Sequence, residues 1–375
     1  MPVPLLDLKA QHATIRDEVV AAMMRVVDAQ TFILGDAVSS LEQDVATLSH
    51  ATHAIGCANG TDAILLALRA LDVGRGDEVI TTPFTFFATA GTIHNVGATP
   101  VFVDIEPRTF NIRPDAVAAA RTSKTKAVVP VDLFGQMAAI EEIALAVPGL
   151  PIIEDAAQSI GAKRSVDGVG RMAGEMPTIG TFSFFPSKNL GGYGDGGMIV
   201  TQDAAIAERL KRLRVHGGAK QYFHDEVGYN SRLDALQAVI LSAKLPHLAG
   251  WSARRRENAA FYDTALAELA DAGALTRPYV APENESIFNQ YTIRVADGKR
   301  DALQSSLTER GIGSSIYYPL PLHLQPCFAY LGYKEGQCPE SERAAREVLS
   351  LPVYPELTRA QLDEVVRGIN TFFSK

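Results

Sequence analysis

The chain runs to 375 residues, 47% hydrophobic and 21% charged, with a formal net charge of −8. That length carries one large domain and a smaller lobe, while the negative balance excludes a general nucleic-acid binder and leaves any anionic ligand to be met by a local basic cluster. Cys57, Cys327 and Cys338 lack ligand-like spacing, which excludes a disulfide framework and a zinc site, so no metal is expected.

The N-terminal stretch Met1 to Lys9 lacks the basic-then-apolar layout of a secretory signal, and no apolar run reaches membrane-spanning length. A cytoplasmic chain with no membrane partner is expected. Apolar residues at Ile15, Val19, Ala22, Met23, Val26 and Val27 recur at helical spacing from Thr14 to Gln30. A second helix opens after Leu34-Gly35, with Asp36 as its cap and Val38, Leu41, Val45 and Leu48 as its stripe.

The segment from Ala54 reads as a short strand, an Asn59-Gly60 turn and a helix. Free amides at that helix start, together with the Thr61 hydroxyl, suit a phosphate; a plain capped helix reads equally from the same residues. Strand and helix signals then alternate over 78–81, 86–96, 100–103, 114–120, 127–131 and 138–147. Apolar strands alternating with helices predict an α/β fold, a sheet covered on both faces. Phe86 follows a strand end, where such folds place ligands, and its ring could stack on a flat group or pack in a core. Asp155 ends the buried run Leu150 to Glu154, which brings a carboxylate in need of a partner to the sheet edge.

Lys188 lies between the aromatic run Thr181 to Pro186 and a segment rich in glycine, Gly191 to Gly197. A lysine becomes a nucleophile when its surroundings lower its pKa, and Schiff-base chemistry is the use best known for it. Gly192 to Gly197 matches the dinucleotide pattern in letters only, because Met198 to Thr201 after it reads as a strand and not a helix. These glycines are expected to turn the chain tightly beside the lysine. A helix over 204–214 leads into a basic, aromatic loop with His216 and Lys220, and Asn230-Ser-Arg232-Leu-Asp234 runs into another helix. From Pro246 a long helix over 249–270 leads to a smaller lobe, with a strand at 291–295, helices at 301–310, 339–349 and 358–373, and a Tyr317-to-His323 loop. The expected division is a large domain, 1–246, and a small α+β domain, 247–375.

Asn59-Gly-Thr-Asp62, Glu154-Asp-Ala-Ala-Gln158, Ser183-Phe-Phe-Pro-Ser-Lys188 and Asn230-Ser-Arg-Leu-Asp234, in this order and at these distances, resemble the motifs of the DegT-type (DegT/StrS) nucleotide-sugar aminotransferases. The resemblance runs from Leu6 nearly to the C-terminus. It implies an aspartate-aminotransferase-like fold type I, with a large domain built on a mostly parallel sheet, and pyridoxal 5′-phosphate as cofactor, with pyridoxamine phosphate formed in turnover. It also implies that Lys188 holds the cofactor covalently and carries the reacting proton, that Asp155 pairs with the ring nitrogen, and that Gln158 binds the ring oxygen. Phe86 would stack on the ring, Gly60, Thr61 and Ser183 would bind the phosphate, and Asn230 would reach it from the second subunit of a homodimer with shared active sites.

The amino acid donor implied is L-glutamate and the acceptor a keto-sugar nucleotide. The pattern is most similar to the aminotransferases of UDP-2-acetamido-2-deoxy-3-oxo-glucuronate. Arg232 suits a uronate carboxylate or forms an ion pair with Asp234 or another carboxylate. A dTDP-3-oxo- or 4-oxo-6-deoxyhexose remains open as acceptor. His216, Lys220, Tyr317 and His323 are expected to line the sugar or nucleotide side. Lys188 argues against a dehydratase of the same family, which has histidine there, and the set Asp155, Gln158 and Lys188 argues against a non-catalytic regulatory or binding protein on this fold.

Overall fold

A computed structural model describes residues 2–374. Two sheets meet at the centre of the molecule. One has four strands in the order His53–Cys57, Gly197–Thr201, Ile179–Ser183, Ile153–Asp155; the other has three, Thr99–Phe102, Glu78–Thr81, Thr125–Val129. The parallel bridges Val128–Ile152 and Val131–Asp155 join them into one surface. Within these sheets only Gly197–Thr201 runs against its neighbours, so every other strand ends at the same edge. The chain is an α/β protein of fold type I.

Strand burial explains the arrangement. Gly197–Thr201 is buried throughout and Ile179–Ser183 nearly so, as expected for strands covered on both faces. The helix Gly60–Ala70 supplies one cover through Ala63, Ile64, Leu66, Ala67 and Leu68, which pack on Ile55, Ile179 and Ile199. The helices Asp36–Leu48 and Ala235–Lys244 cover the other face through Val38, Leu41, Val45, Ala238 and Leu241.

A second core gathers Tyr262, Tyr291, Leu303, Leu349 and Val365 around an antiparallel sheet of Leu275–Thr276, Tyr291–Val295 and Val348–Leu351. Val3 belongs to this core and pairs with Ile312, so the first residues of the chain pack with its last third. No helix of the described residues is long and apolar enough to cross a membrane.

Several elements differ from the expectation. The helix Asp36–Leu48 has Gly35 at its N-cap with no side-chain bond, and Asp36 is its first residue. The long helix breaks at Leu266, giving Leu248–Ala265 and Ala267–Asp271. The helix Pro339–Glu347 ends early because Val348–Leu351 pairs with Tyr291–Val295 as a buried strand. The hairpin Lys163–Val166 and Val169–Met172 was not legible, since its burial alternates only weakly.

Candidate active site

The common strand edge gathers the predicted residues. Gly60 and Thr61 follow His53–Cys57, Phe86 follows Glu78–Thr81, Asp155 ends its strand, and Ser183 ends Ile179–Ser183 five residues before Lys188. Ligands of α/β folds bind at the carboxyl ends of the strands.

At the helix start Asn59 accepts from the Asp62 amide at 2.8 Å, so the cap is real. The first amides of a helix, here Gly60 and Thr61, have no partner inside it. Thr61 is exposed. A Cβ on Gly60 would stand 2.6 Å from the Ser183 Cβ, so glycine is what lets the helix start and the strand end close together.

Lys188 is partly buried, and its amide donates to the Phe185 carbonyl at 2.9 Å. Burial pushes its ammonium down to about 8, against the upward pull of Asp155. The next residue, Asn189, donates to the Ile287 carbonyl and accepts from Asn289, which ties the lysine loop to the segment that leads into the strand Tyr291–Val295. Asp155 is 5% exposed. It accepts from the Thr89 hydroxyl at 2.8 Å and the Ala157 amide at 3.3 Å, and burial raises its pKa while Thr89 and Lys188 lower it. Gln158 accepts from the Phe134 amide at 2.7 Å and donates to the Tyr318 hydroxyl at 3.3 Å. Phe86 is 58% exposed, with its ring 6.4 Å from that of Tyr318.

Tyr318 and Thr89 belong to this cluster and were not singled out in the sequence. Tyr318 touches Gln158 and the Phe84 and Phe86 rings, whereas its predicted neighbour Tyr317 packs beside it. An adjacent Tyr-Tyr pair gives no sign of which ring faces inward. Thr89 lies four residues past Thr85 in the helix that follows Phe86, and only the fold brings it to Asp155.

His216, Lys220 and Arg232 line a separate cleft, and Lys188 is not among the residues that line it. Asn230 is exposed on the neighbouring segment, paired through its backbone with Val215. Asp234 caps the helix Ala235–Lys244 at the Gln237 amide and does not pair with Arg232. Among the described residues Arg232 has no ion pair, and its Nε is buried without a hydrogen bond. His323 departs from its predicted role: its side chain has no exposure and its Nε2 lies 3.0 Å from Glu342, so burial in an ion-pairing environment removes it from any surface facing a substrate. The glycines after Lys188 are also reassigned. None of those in 191–197 has a positive φ. A Cβ on Gly191 would meet the Pro186 carbonyl and one on Gly197 the Asn59 carbonyl, so they serve close backbone approach and not a tight turn.

The chain belongs to the DegT/DnrJ/EryC1/StrS aminotransferase family, whose profile matches residues 13–370. It is a pyridoxal-phosphate-dependent aminotransferase. It is 54% identical over 375 residues to a pleiotropic regulatory protein of Geobacillus stearothermophilus, covering 100% of this chain and 99% of that one. It is 47% identical to the UDP-N-acetyl-3-dehydro-alpha-D-glucosamine 3-aminotransferase of Acidithiobacillus ferrooxidans, covering 98% and 97%. With the UDP-2-acetamido-2-deoxy-3-oxo-D-glucuronate aminotransferase of Pseudomonas aeruginosa it shares 42% identity, covering 96% and 97%. Among solved structures it is similar to DesV of S. venezuelae in complex with a ketimine intermediate, at a TM-score of 0.95 and 39% identity, covering 100% and 99%.

The residues present fit the cofactor of this class. A partly buried lysine of lowered pKa, a buried carboxylate with no arginine partner among the described residues, an exposed aromatic ring and a glycine cradle against a serine all meet at one strand edge.

Proposed function

We propose that the chain transfers the amino group of L-glutamate to a keto-sugar nucleotide, with UDP-2-acetamido-2-deoxy-3-oxo-glucuronate as lead acceptor. The observation that carries the acceptor is Arg232. It is a guanidinium with no carboxylate partner among the described residues, beside the basic residues His216 and Lys220, and it offers a bidentate grip for a uronate carboxylate. The relative from Pseudomonas aeruginosa acts on that sugar by its description. The 3-oxo acetamido sugar named for the Acidithiobacillus relative has the same reacting position.

When bound, pyridoxal phosphate supplies an electron sink for negative charge at the carbon beside the transferred nitrogen. In this reading Lys188 holds it through the side-chain amine and, once freed, moves the proton at the substrate carbon. Its lowered pKa keeps part of the amine neutral near physiological pH, as a base requires. Asp155 keeps the ring nitrogen protonated, Gln158 donates to the ring oxygen, and Phe86 covers one face. Gly60, Thr61 and Ser183 hold the phosphate.

The proposed assembly is a homodimer in which Asn230, with the His216, Lys220 and Arg232 cleft, completes the Lys188 site of the second copy. Two features support it. Lys188 is not among the residues that line the basic cleft. Val20, Met24 and Val27 also stand exposed at helical spacing on the outer face of Leu8–Ala29, next to exposed Phe32 and Ile33. The proposed domain division falls at 246/247, with the first residues of the chain joining the second core.

The test is a two-stage reaction. Glutamate alone should bleach the cofactor absorption band of the purified protein, and a panel of 3-oxo and 4-oxo sugar nucleotides is then offered. Return of the band with the 3-oxo-glucuronate supports the lead acceptor, and return only with a dTDP-linked sugar replaces it. A protein that takes up no pyridoxal phosphate would restore the regulatory reading that the Geobacillus relative's description suggests.

A further inference from the structure

Behind Asp155, on the opposite face of its strand, lies a second pair of acids to which the reaction assigns nothing. Asp132 and Glu154 are both fully buried. Asp132 Oδ1 accepts from the Ala138 amide at 2.8 Å and its Oδ2 from the Ser159 hydroxyl at 2.7 Å. Glu154 Oε2 accepts from the Gly174 amide at 2.6 Å, and its Oε1 has no donor aimed at it. The acidic groups acting on each of them are the other and Asp155, with no cation among them. Two carboxylates buried side by side without a cation cannot both be ionised; one proton must sit between them.

We infer that Glu154 is a permanently protonated acid that donates to the Asp132 carboxylate, and that this one-proton pair positions Asp155 and Gln158 against the cofactor. The inference rests on the cofactor reading of the site. Donor count places the proton: Asp132 already receives two hydrogen bonds, one on each oxygen, whereas Glu154 Oε1 receives none and gains a partner by carrying the proton. Burial and Asp132 together hold the Glu154 carboxyl well above the usual carboxylate range.

The pair reaches the site through short links. The Asp132 amide donates to the Asp155 carbonyl at 3.0 Å, and its carboxylate holds Ser159, the neighbour of Gln158. Two residues past Asp132, the Phe134 amide holds the Gln158 side chain. The pair also leaves a single negative charge behind Asp155, which favours a protonated ring nitrogen.

Infrared spectroscopy of the purified protein, with and without cofactor, tests the proton directly. A protonated-carboxyl stretch should be present at pH 8 and absent in Glu154→Gln, which replaces the acid by an amide donor of the same shape. No such band in the native protein, or its persistence in Glu154→Gln, overturns the assignment whatever the enzyme's activity. The positioning role is read from the cofactor. Glu154→Gln should keep cofactor affinity and the pH midpoint of the absorption band. Asp132→Asn, which puts an amide N–H donor against the Ala138 amide or the Ser159 hydroxyl, should weaken cofactor binding about tenfold or more and shift the midpoint down. Equal affinity and midpoint in both variants would remove the positioning role, and Glu154→Leu repeats the comparison if Asp132→Asn does not fold. A protein that binds no cofactor but keeps the band defeats the functional reading and leaves the shared proton standing.

Discussion

Lys188 carries the sharpest prediction because its environment sets two opposing effects. Burial lowers its pKa to about 8 and Asp155 raises it. In protein freed of cofactor the neutral amine is the form that attacks, so the rate of cofactor capture should rise with pH and level off above about 8, as followed by stopped-flow absorbance. Asp155→Asn removes the raising charge, and the midpoint should then move to lower pH. A midpoint near the ordinary lysine value would mean that the loop is open to water. Lys188→Ala should leave the fold intact and abolish both cofactor attachment and transfer. At the same scale, Arg232→Leu should raise KM for a uronate-bearing acceptor about tenfold, consistent with losing one charge-assisted pair, with the glutamate stage unchanged.

At the scale of elements, the contact between the helix Gly60–Ala70 and the strand Gly197–Thr201 holds the edge of the site. A methyl group on Gly197 would meet the Asn59 carbonyl and the Cys57 sulfur, so Gly197→Ala should push the strand from the helix start. Overpacking of this kind costs about 1–3 kcal/mol, and urea unfolding should show that loss together with weaker cofactor binding. Asn59→Ala removes the cap at the Asp62 amide and should cost about 1 kcal/mol. Element type was mostly legible here, because apolar strands and amphipathic helices carry their pattern in the residues. Where the reading missed, a neighbour outweighed the local pattern. Val348–Leu351 continues a helical sequence but pairs with Tyr291–Val295, and Asp36 yields its capping place to Gly35.

For the whole molecule, the exposed face of Val20, Met24 and Val27 and the cleft of Arg232, whose lining does not include Lys188, make one prediction together. Met24→Glu should give a monomer in sedimentation and should lose transfer to the sugar nucleotide. Mixing Lys188→Ala with Arg232→Leu subunits should restore the native KM for the acceptor in the mixed dimer, since one of its two sites is then intact. Absence of any recovery would place Arg232 on the same chain as the lysine it serves.

The sequence by itself determined the fold class through the alternation of apolar strands and helices, and the resemblance carried by its four ordered motifs implied the cofactor chemistry, because motifs of this kind are local patterns with fixed order along the chain. The tertiary structure decided everything that depends on which way a side chain faces. It sent His323 inward to Glu342, brought Tyr318 and Thr89 to Gln158 and Asp155, and turned the glycines after Lys188 from a supposed turn into points of close approach. Facing is set by contacts between segments far apart in sequence, and no local period encodes them.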